Sequence, residues 1–452
     1  MARLFGTDGI RGIAGRTLTA QFAFDLGCAL GRMIKKQENS CSVVVGKDPR
    51  CSSSMLEAAV AAGLCSVGVD VILLGVVPTP AVSFAVVEQS LRAGVMISAS
   101  HNSFEYNGIK IFGADGFKFS IEEELQLEEL ICNCLGESVV GIEVGEVHTD
   151  HLIRSKYFKQ LQEKTAGLFE NWKPCPKIAI DCANGSASET ARYVFGKLKA
   201  QLRFLNTSPS GVNINRSCGA TDMAQLKAFV VENSFDLGLA FDGDADRCLA
   251  VLKDGKVLDG DHISLILARF FKKKGQLKNN KIVVTNMSNL GFVNEVERLG
   301  FEVSKAEVGD RNVATKMREE GAGLGAETSG HVICFDYLKT GDGMLTAGLL
   351  LRAIFELGFS FDELGCEFKP LPQVLISVRV KDPSEVMQDP DLNLHIFRLQ
   401  KELGEGGKLI VRASGTEPVI RILVQGELKL QLEKIAQELA EIINFRGYEL
   451  EE

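Results

Sequence analysis

One unit of sequence grammar occurs three times along the chain: a short β-branched apolar run, a polar or glycine-bearing loop, an amphipathic helical stretch and a second apolar run. The first copy starts at Ser42-Val43-Val44-Val45, passes Asp48-Pro49-Arg50 and a helix over 53–63, and ends in a run over 69–74. The second starts at Ile178-Ala179-Ile180-Asp181, with a helix over 188–198 and a run over 202–205. The third starts at Ile282-Val283-Val284-Thr285, with a helix over 292–299 and a run over 301–303. Apolar strands alternating with helices impose right-handed β-α-β crossovers and mostly parallel sheets covered on both faces. The tail differs: runs over 408–411 and 419–424 flank a tight polar loop, and 428–443 has helical spacing of apolar positions, which predicts a small α+β unit. The expected fold is therefore α/β, with three related α/β domains of mixed, mostly parallel sheets and a C-terminal α+β domain. A length of 452 residues suits two to four domains at roughly 100–200 residues each. Acid-rich or proline-bearing stretches at 141–150, 254–261 and 367–372 place the boundaries, giving domains 1–150, 151–256, 257–368 and 369–452.

Hydrophobic residues at 45% and charged residues at 24% are the balance of a soluble globular chain. A net charge of −9 argues against a nucleic-acid or anionic-membrane coat, so neither partner is expected. The uncharged run 71–87 contains Pro78 and Pro80 and is shorter than the roughly 20 residues that span a bilayer; it reads as a buried strand followed by a turn. Twelve cysteines lack C-x-x-C pairing, the closest being Cys132 and Cys134, and the N-terminus has no apolar signal region. Thiols used as small core residues in a reducing cytoplasm are expected.

Four loops carry chemistry. Val95-Met96-Ile97 runs into Ser98-Ala99-Ser100-His101-Asn102-Ser103, a hydroxyl-rich stretch at a strand's carboxyl end, where ligand crevices of open α/β sheets lie. Ser100 is there either a nucleophile for phosphoryl transfer or a residue satisfying a turn. Leu237-Gly238-Leu239-Ala240-Phe241 leads into Asp242-Gly243-Asp244-Ala245-Asp246-Arg247. In an extended loop the three carboxylates point the same way and meet on a hard cation such as Mg²⁺. A calcium EF-hand is excluded by Arg247 at its sixth position and Lys253 at its twelfth. A solvated acidic turn is the plain alternative, but carboxylates packed this closely without a counterion destabilise one another.

Glu327-Thr328-Ser329-Gly330-His331 offers a carboxylate, hydroxyls and an imidazole suited to sugar hydroxyl or amino groups. Arg412-Ala413-Ser414-Gly415-Thr416-Glu417-Pro418, with Arg421 beyond it, supplies bidentate forks, hydroxyls and close backbone N–H groups for a phosphate. Arg11 in a glycine-spaced N-terminal loop and Lys110 are further cations for a phosphoryl group, or plain surface charge. Gly321-Ala322-Gly323-Leu324-Gly325-Ala326 matches G-x-G-x-x-A but follows the helix-like stretch 315–320, not a strand, so no dinucleotide site is expected. No G-x-x-x-x-G-K-[ST] is present.

The order T-D-G-I-R-G (7–12), S-A-S-H-N (98–102), D-G-D-A-D-R (242–247), E-x-S-G-H (327–331) and R-x-S-G-T-E-P (412–418) resembles the α-D-phosphohexomutase superfamily and spans essentially the whole chain. The resemblance implies four domains around a central cleft, lending in turn the phosphoserine, metal-binding, sugar-recognition and phosphate-binding loops. It implies that Ser100 is phosphorylated and that its phosphate joins Asp242, Asp244 and Asp246 around Mg²⁺. Arg11, Lys110 and Arg247, with His101 in the same catalytic group, support phosphoryl and proton transfer. Glu327, Ser329 and His331 read the sugar, and Arg412, Ser414, Gly415, Thr416 and Arg421 grip the non-reacting phosphate.

Phe5-Gly6-Thr7-Asp8-Gly9 close to Met1, the compact length and Val308-Gly309-Asp310-Arg311 are most similar to bacterial members that act on glucosamine phosphates. The implied reaction is an isomerase-class phosphotransfer between glucosamine 6-phosphate and glucosamine 1-phosphate. It passes through a sugar 1,6-bisphosphate that also activates the enzyme, and it feeds UDP-N-acetylglucosamine and cell-wall precursors. Two motifs depart from the family pattern: Ser103 replaces a proline after S-A-S-H-N, and Ala326 and Thr328 alter G-E-x-S-G-H, whose middle position tends to Gln in glucosamine enzymes and Met in glucose or mannose enzymes. The rival readings are the same chemistry on glucose or mannose phosphates, a metal-dependent phosphatase with Asp242 as nucleophile, and a non-catalytic sugar-phosphate sensor. The expected partner is a hexosamine phosphate, with a homodimer compatible with the sequence.

Overall fold

A computed structural model of the chain describes residues 3–6, 8–35, 41–132, 139–170, 172–366, 368–404, 406–414 and 418–445. They form two compact units, Met1–Val284 with Ser304–Glu367, and Thr285–Val303 with Phe368–Glu452.

In the first unit a six-stranded sheet runs in the order Ile10–Ile13, Tyr106–Gly113, Ala93–Ile97, Ser42–Lys47, Asp70–Val76, Val147–Thr149. Ser42–Lys47 is parallel to both its neighbours, Ala93–Ile97 and Asp70–Val76. Its Val43, Val44 and Val45 are fully buried, as a continuous β-branched run must be when helices such as Ala20–Lys35 and Ser53–Ser66 cover the sheet. Ala93–Ile97 then turns back through a hairpin onto Tyr106–Gly113.

The second sheet repeats that logic. Leu237–Phe241 is parallel to Lys177–Asp181 and antiparallel to Cys248–Leu252, the strand that follows it. In the third, Leu324–Ala326 is parallel to Lys281–Thr285 and antiparallel to Val332–Cys334. So in each sheet a buried parallel strand hands over to an antiparallel partner through a hairpin, and the hairpins are 98–105, 242–247 and 327–331. These are the motif loops.

The second unit carries an all-antiparallel sheet, Gln373–Arg379, Val419–Gln425, Lys408–Ala413. Ile420, Ile422, Leu432, Ile435 and Leu439 form its core with the helix Lys429–Phe445.

Two features depart from expectation. The stretch after Asp70–Val76 is the helix Thr79–Glu88, not a turn. Pro78 caps it and Pro80 lies in its first turn, where no N–H donor is needed and a fixed φ favours the helix. Strand Gln373–Arg379 and helices Pro383–Gln388 and Pro390–Leu403 fill a region that the sequence pattern left blank. Among the described residues, no helix is long and apolar enough to cross a membrane.

Candidate active site

Ser100 is fully buried and adopts φ +50°, a left-handed conformation that a non-glycine residue holds only when its surroundings impose it. Its Oγ donates to Asp242 Oδ2 at 2.7 Å and lies 3.4 Å from His101 Nδ1. Burial, followed by the charges of Arg247 and Arg11, pushes His101 down to about 3, so its imidazole is neutral near pH 7.

Asp242, Asp244 and Asp246 each turn one oxygen into a cluster whose ligand atoms lie within 4.8 Å of one another. The loop is not extended, as the i, i+2, i+4 spacing suggests. It is a turn in which Ala245 takes φ +54°, and that reversal converges the three carboxylates. Gly243 is required by packing: a Cβ there would stand 2.6 Å from the Ser100 carbonyl oxygen. The serine and aspartate loops therefore touch through backbone.

Lys110, itself buried, crosses the cluster with Nζ 2.8 Å from Asp244 Oδ2, 3.3 Å from Asp246 Oδ2 and 3.0 Å from Asp8 Oδ2. Burial opposes its charge, but Asp244, Asp8 and Asp246 hold it well above the usual lysine range. Burial and the neighbouring charges of Asp246 and Asp244 push Asp242 well above the ordinary carboxylate range. Asp246 goes the other way: burial would raise it, but Lys110, His331 and Arg247 hold it well below. Asp244 Oδ1 and Asp246 Oδ1 are buried with no hydrogen bond. Oxygens in that state carry a desolvation cost that a bound cation removes, so the trio fits a hard divalent ion.

Arg247 donates its backbone N–H to Asp242 Oδ1 at 3.2 Å, and its Nε lies 3.9 Å from Asp246 Oδ1. Arg11 donates to Asn102 Oδ1 at 2.7 Å and pairs with Asp8. His331 places Nδ1 3.6 Å from Asp246 Oδ1. Two influences on this ring oppose each other. Burial notwithstanding, Asp246, Asp310 and Glu327 push it up to about 9, whereas Gly341 N–H donates to Nε2 at 3.1 Å, which needs a lone pair there. The backbone bond is fixed by the fold, whereas the charge of Asp246 is what a cation would neutralise.

Glu327 Oε1 accepts from Gly309 N–H at 3.1 Å, and burial raises its pKa. Ser329 Oγ is buried with no hydrogen bond. The loop 327–331 is tied to the aspartate hairpin by Cys248 N–H donating to Gly330 O at 3.0 Å. One unit thus gathers Ser100, His101, Arg11, Lys110, the three aspartates, Arg247, Glu327, Ser329 and His331. Three residues beyond the sequence prediction belong with them: Asp8, Lys118, which pairs with both Asp8 and Asp310, and Thr79, whose Oγ donates to Asp244. Asp8 had a signal, lying in T-D-G-I-R-G beside Arg11. Lys118 and Thr79 had none, since they arrive from distant parts of the chain.

The second unit holds the remaining group. Arg412 and Arg421 face each other across the antiparallel pair Lys408–Ala413 and Val419–Gln425. Ser414 N–H donates to Val419 O at 2.9 Å. Gly415 and Thr416 lie outside the described residues.

Segments 2–134, 155–255 and 259–369 match the models for phosphoglucomutase/phosphomannomutase alpha/beta/alpha domains I, II and III, and 375–442 matches the C-terminal domain. A phosphoglucosamine mutase of Shouchella clausii is 42% identical over 447 residues, covering 98% of this chain and 99% of that one. One from Carboxydothermus hydrogenoformans is 43% identical over 452 residues, covering 98% and 99%. A solved phosphoglucomutase/phosphomannomutase family protein from Burkholderia thailandensis superposes with a TM-score of 0.81 at 23% identity, covering 98% of each chain. A putative phosphomannomutase from Thermus thermophilus gives 0.78 at 24%, covering 98% and 99%. At those identities the solved structures speak for the fold alone.

Proposed function

The chain belongs to the phosphoglucomutase/phosphomannomutase family, and on that premise we propose that it is a phosphoglucosamine mutase. It interconverts glucosamine 6-phosphate and glucosamine 1-phosphate through phosphorylated Ser100 and a sugar 1,6-bisphosphate. The observation that carries this reading is Ser100 Oγ held 2.7 Å from Asp242 Oδ2, at the edge of a buried carboxylate trio.

Asp242, Asp244 and Asp246, with the Ser100 phosphate, would hold Mg²⁺. When bound, the cation neutralises charge on the transferring group. The chain's own residues do the rest. The phosphorus–oxygen bond to Ser100 breaks as one to a sugar hydroxyl forms, and the hydroxyl's proton ends on the freed Ser100 oxygen. After the bisphosphate turns round, its other phosphoryl group returns to Ser100 and the freed sugar oxygen takes up the proton that the Ser100 hydroxyl gives up. His101, neutral near pH 7 and beside Ser100 Oγ, is a hydrogen-bond partner for that oxygen and not a base, because burial and Arg247 oppose its protonation. Lys110, held cationic by three carboxylates, supplies charge rather than a basic site. Arg11 and Arg247 stabilise the phosphoryl oxygens. Glu327, Ser329 and His331 orient the amino sugar, and Arg412, Ser414, Gly415, Thr416 and Arg421 hold the phosphate that does not react. The enzyme works in a reducing cytoplasm, where burial keeps thiols such as Cys182 and Cys248 protonated.

The test is conversion of glucosamine 6-phosphate in the presence of Mg²⁺ and a trace of the 1,6-bisphosphate, together with peptide mapping of phosphate on the purified protein. Glucosamine 1-phosphate and a phosphate on Ser100 are expected. Faster turnover of glucose or mannose 6-phosphate would remove the sugar assignment and leave the mutase. Release of inorganic phosphate without isomerisation would remove both.

A further inference from the structure

The serine loop is anchored by two residues that the chemistry above does not use. Asp48 and Arg50 follow strand Ser42–Lys47, and neither side chain has any exposed surface. Arg50 Nε donates to Asp48 Oδ2 at 2.9 Å. Its Nη2 donates to the carbonyls of Ser100 at 2.8 Å and Asn102 at 2.9 Å, and its Nη1 to those of Tyr106 at 3.1 Å and Ser103. Every N–H of the guanidinium is thereby used, three of the five on the serine loop and a fourth on the first residue of the strand that follows it. Asp48 also accepts from Arg50 N–H at 3.0 Å, Ser53 Oγ at 2.9 Å and Ser98 Oγ at 2.7 Å. Ser98 Oγ in turn accepts from Ser100 N–H at 2.9 Å.

Ser100 is therefore gripped at both ends of its backbone, the N–H through Ser98 and Asp48 and the carbonyl by Arg50. A hairpin turn does not need a buried ion pair, which costs desolvation on both partners. A residue forced to φ +50° does need its conformation over-determined. We propose that Asp48 and Arg50 are positioning residues for the nucleophile, holding Ser100 in the left-handed turn that aims its Oγ at the carboxylate cluster. Phosphoryl transfer to and from Ser100 depends on them; cation and substrate binding do not. The inference rests on the reading of Ser100 as the phosphoryl carrier.

Lysine at position 50 keeps the charge but has three donors and no planar fork. Wild type, Arg50→Lys, Ser98→Ala and Ser100→Ala would be loaded with radiolabelled glucose 1,6-bisphosphate. The rate of labelling at Ser100, kcat, KM, Mn²⁺ affinity and thermal unfolding would be read for each. Misplacement of the attacking atom predicts labelling and kcat down about 100-fold in Arg50→Lys and about 10-fold in Ser98→Ala, with KM and Mn²⁺ affinity within about 3-fold. Labelling within about 3-fold of wild type in the folded variants overturns the proposal, as does a loss matched by loss of Mn²⁺ affinity. If Arg50→Lys does not fold, Ser98→Ala decides on the same criteria. Failure of the underlying reading looks different: wild type would take no label at Ser100, or Ser100→Ala would be labelled equally.

Discussion

Residues 98–105 and 242–247 are corresponding hairpins on the first and second sheets, yet different forces hold them. In the serine loop, backbone groups find partners within the protein: Arg50, Asn215 and Ser98 take up both ends of Ser100. In the aspartate loop, three carboxylates crowd together and two of their buried oxygens have no hydrogen bond, with one group pushed well above its ordinary range and another held well below. The first loop is complete as folded. The second is completed by a charge from outside. A nucleophile gains from geometry fixed in advance, whereas a cation site must keep charge uncompensated until the ion arrives.

Ser100→Ala deletes the working atom from the pre-set loop and should cost the most. Turnover is expected to fall at least about 1,000-fold with thermal unfolding little changed, as a coupled assay and calorimetry would show. Asp242→Asn tests the other loop and should move activity and stability in opposite directions. Turnover falls about 100-fold, while without cation the melting temperature rises, because one of three like charges is gone. A melting temperature that falls in EDTA would sink the idea that this loop is under charge strain.

Acidity should separate the loops further. Asp242 has a raised pKa, so the cation-free fold takes up a proton there as pH falls and is relieved by it. Asp246 has a depressed pKa, so its stabilisation is present above the ordinary aspartate value of about 3.9 and is lost only as pH falls below that. Mild acid should therefore weaken Mg²⁺ activation by proton competition at Asp242 without unfolding the protein. An activation constant that stays flat from about pH 8 to about pH 5 would contradict this.

Two smaller perturbations probe the serine loop's redundancy. Gly243→Ala drives a Cβ to within 2.6 Å of the Ser100 carbonyl oxygen and should destabilise by about 1–3 kcal/mol, with a matching loss of turnover. Asn215→Ala removes donors at 2.9 Å to Ser100 O and 3.1 Å to Asn102 O. Because Arg50 serves the same two carbonyls, it should cost only about 1 kcal/mol and a few-fold in kcat.

Much of this was legible in the sequence where the signal is local. Each β-α-β copy is one unbroken stretch of chain, and the hydroxyl-rich stretch at Ser100 and the alternate aspartates each lie within a few consecutive residues. What escaped is built from distant ones. Lys118 meets Asp8 and Asp310, and Arg50 reaches a loop some fifty positions away; no window of sequence holds both ends. Local reasoning also erred where a backbone choice was hidden, as at Ala245, whose positive φ makes a turn of what spacing suggested was extended. Strand Gln373–Arg379 was obscured because Leu375, apolar but exposed, breaks the alternation of buried Val378 and half-buried Val374 and Ile376.

The hairpins that carry the motifs also bear on how such a site assembles and changes. Each joins strands adjacent in the chain, so its register is set by short-range contacts, while the parallel pairings beside it wait on long crossovers. The reactive groups therefore travel with the local half of the topology. Duplicating one β-α-β unit with its hairpin copies a sheet together with a blank tip. Separate tips can then acquire a hydroxyl, a set of carboxylates or a single glutamate while the buried strands beneath them stay under the same packing constraints.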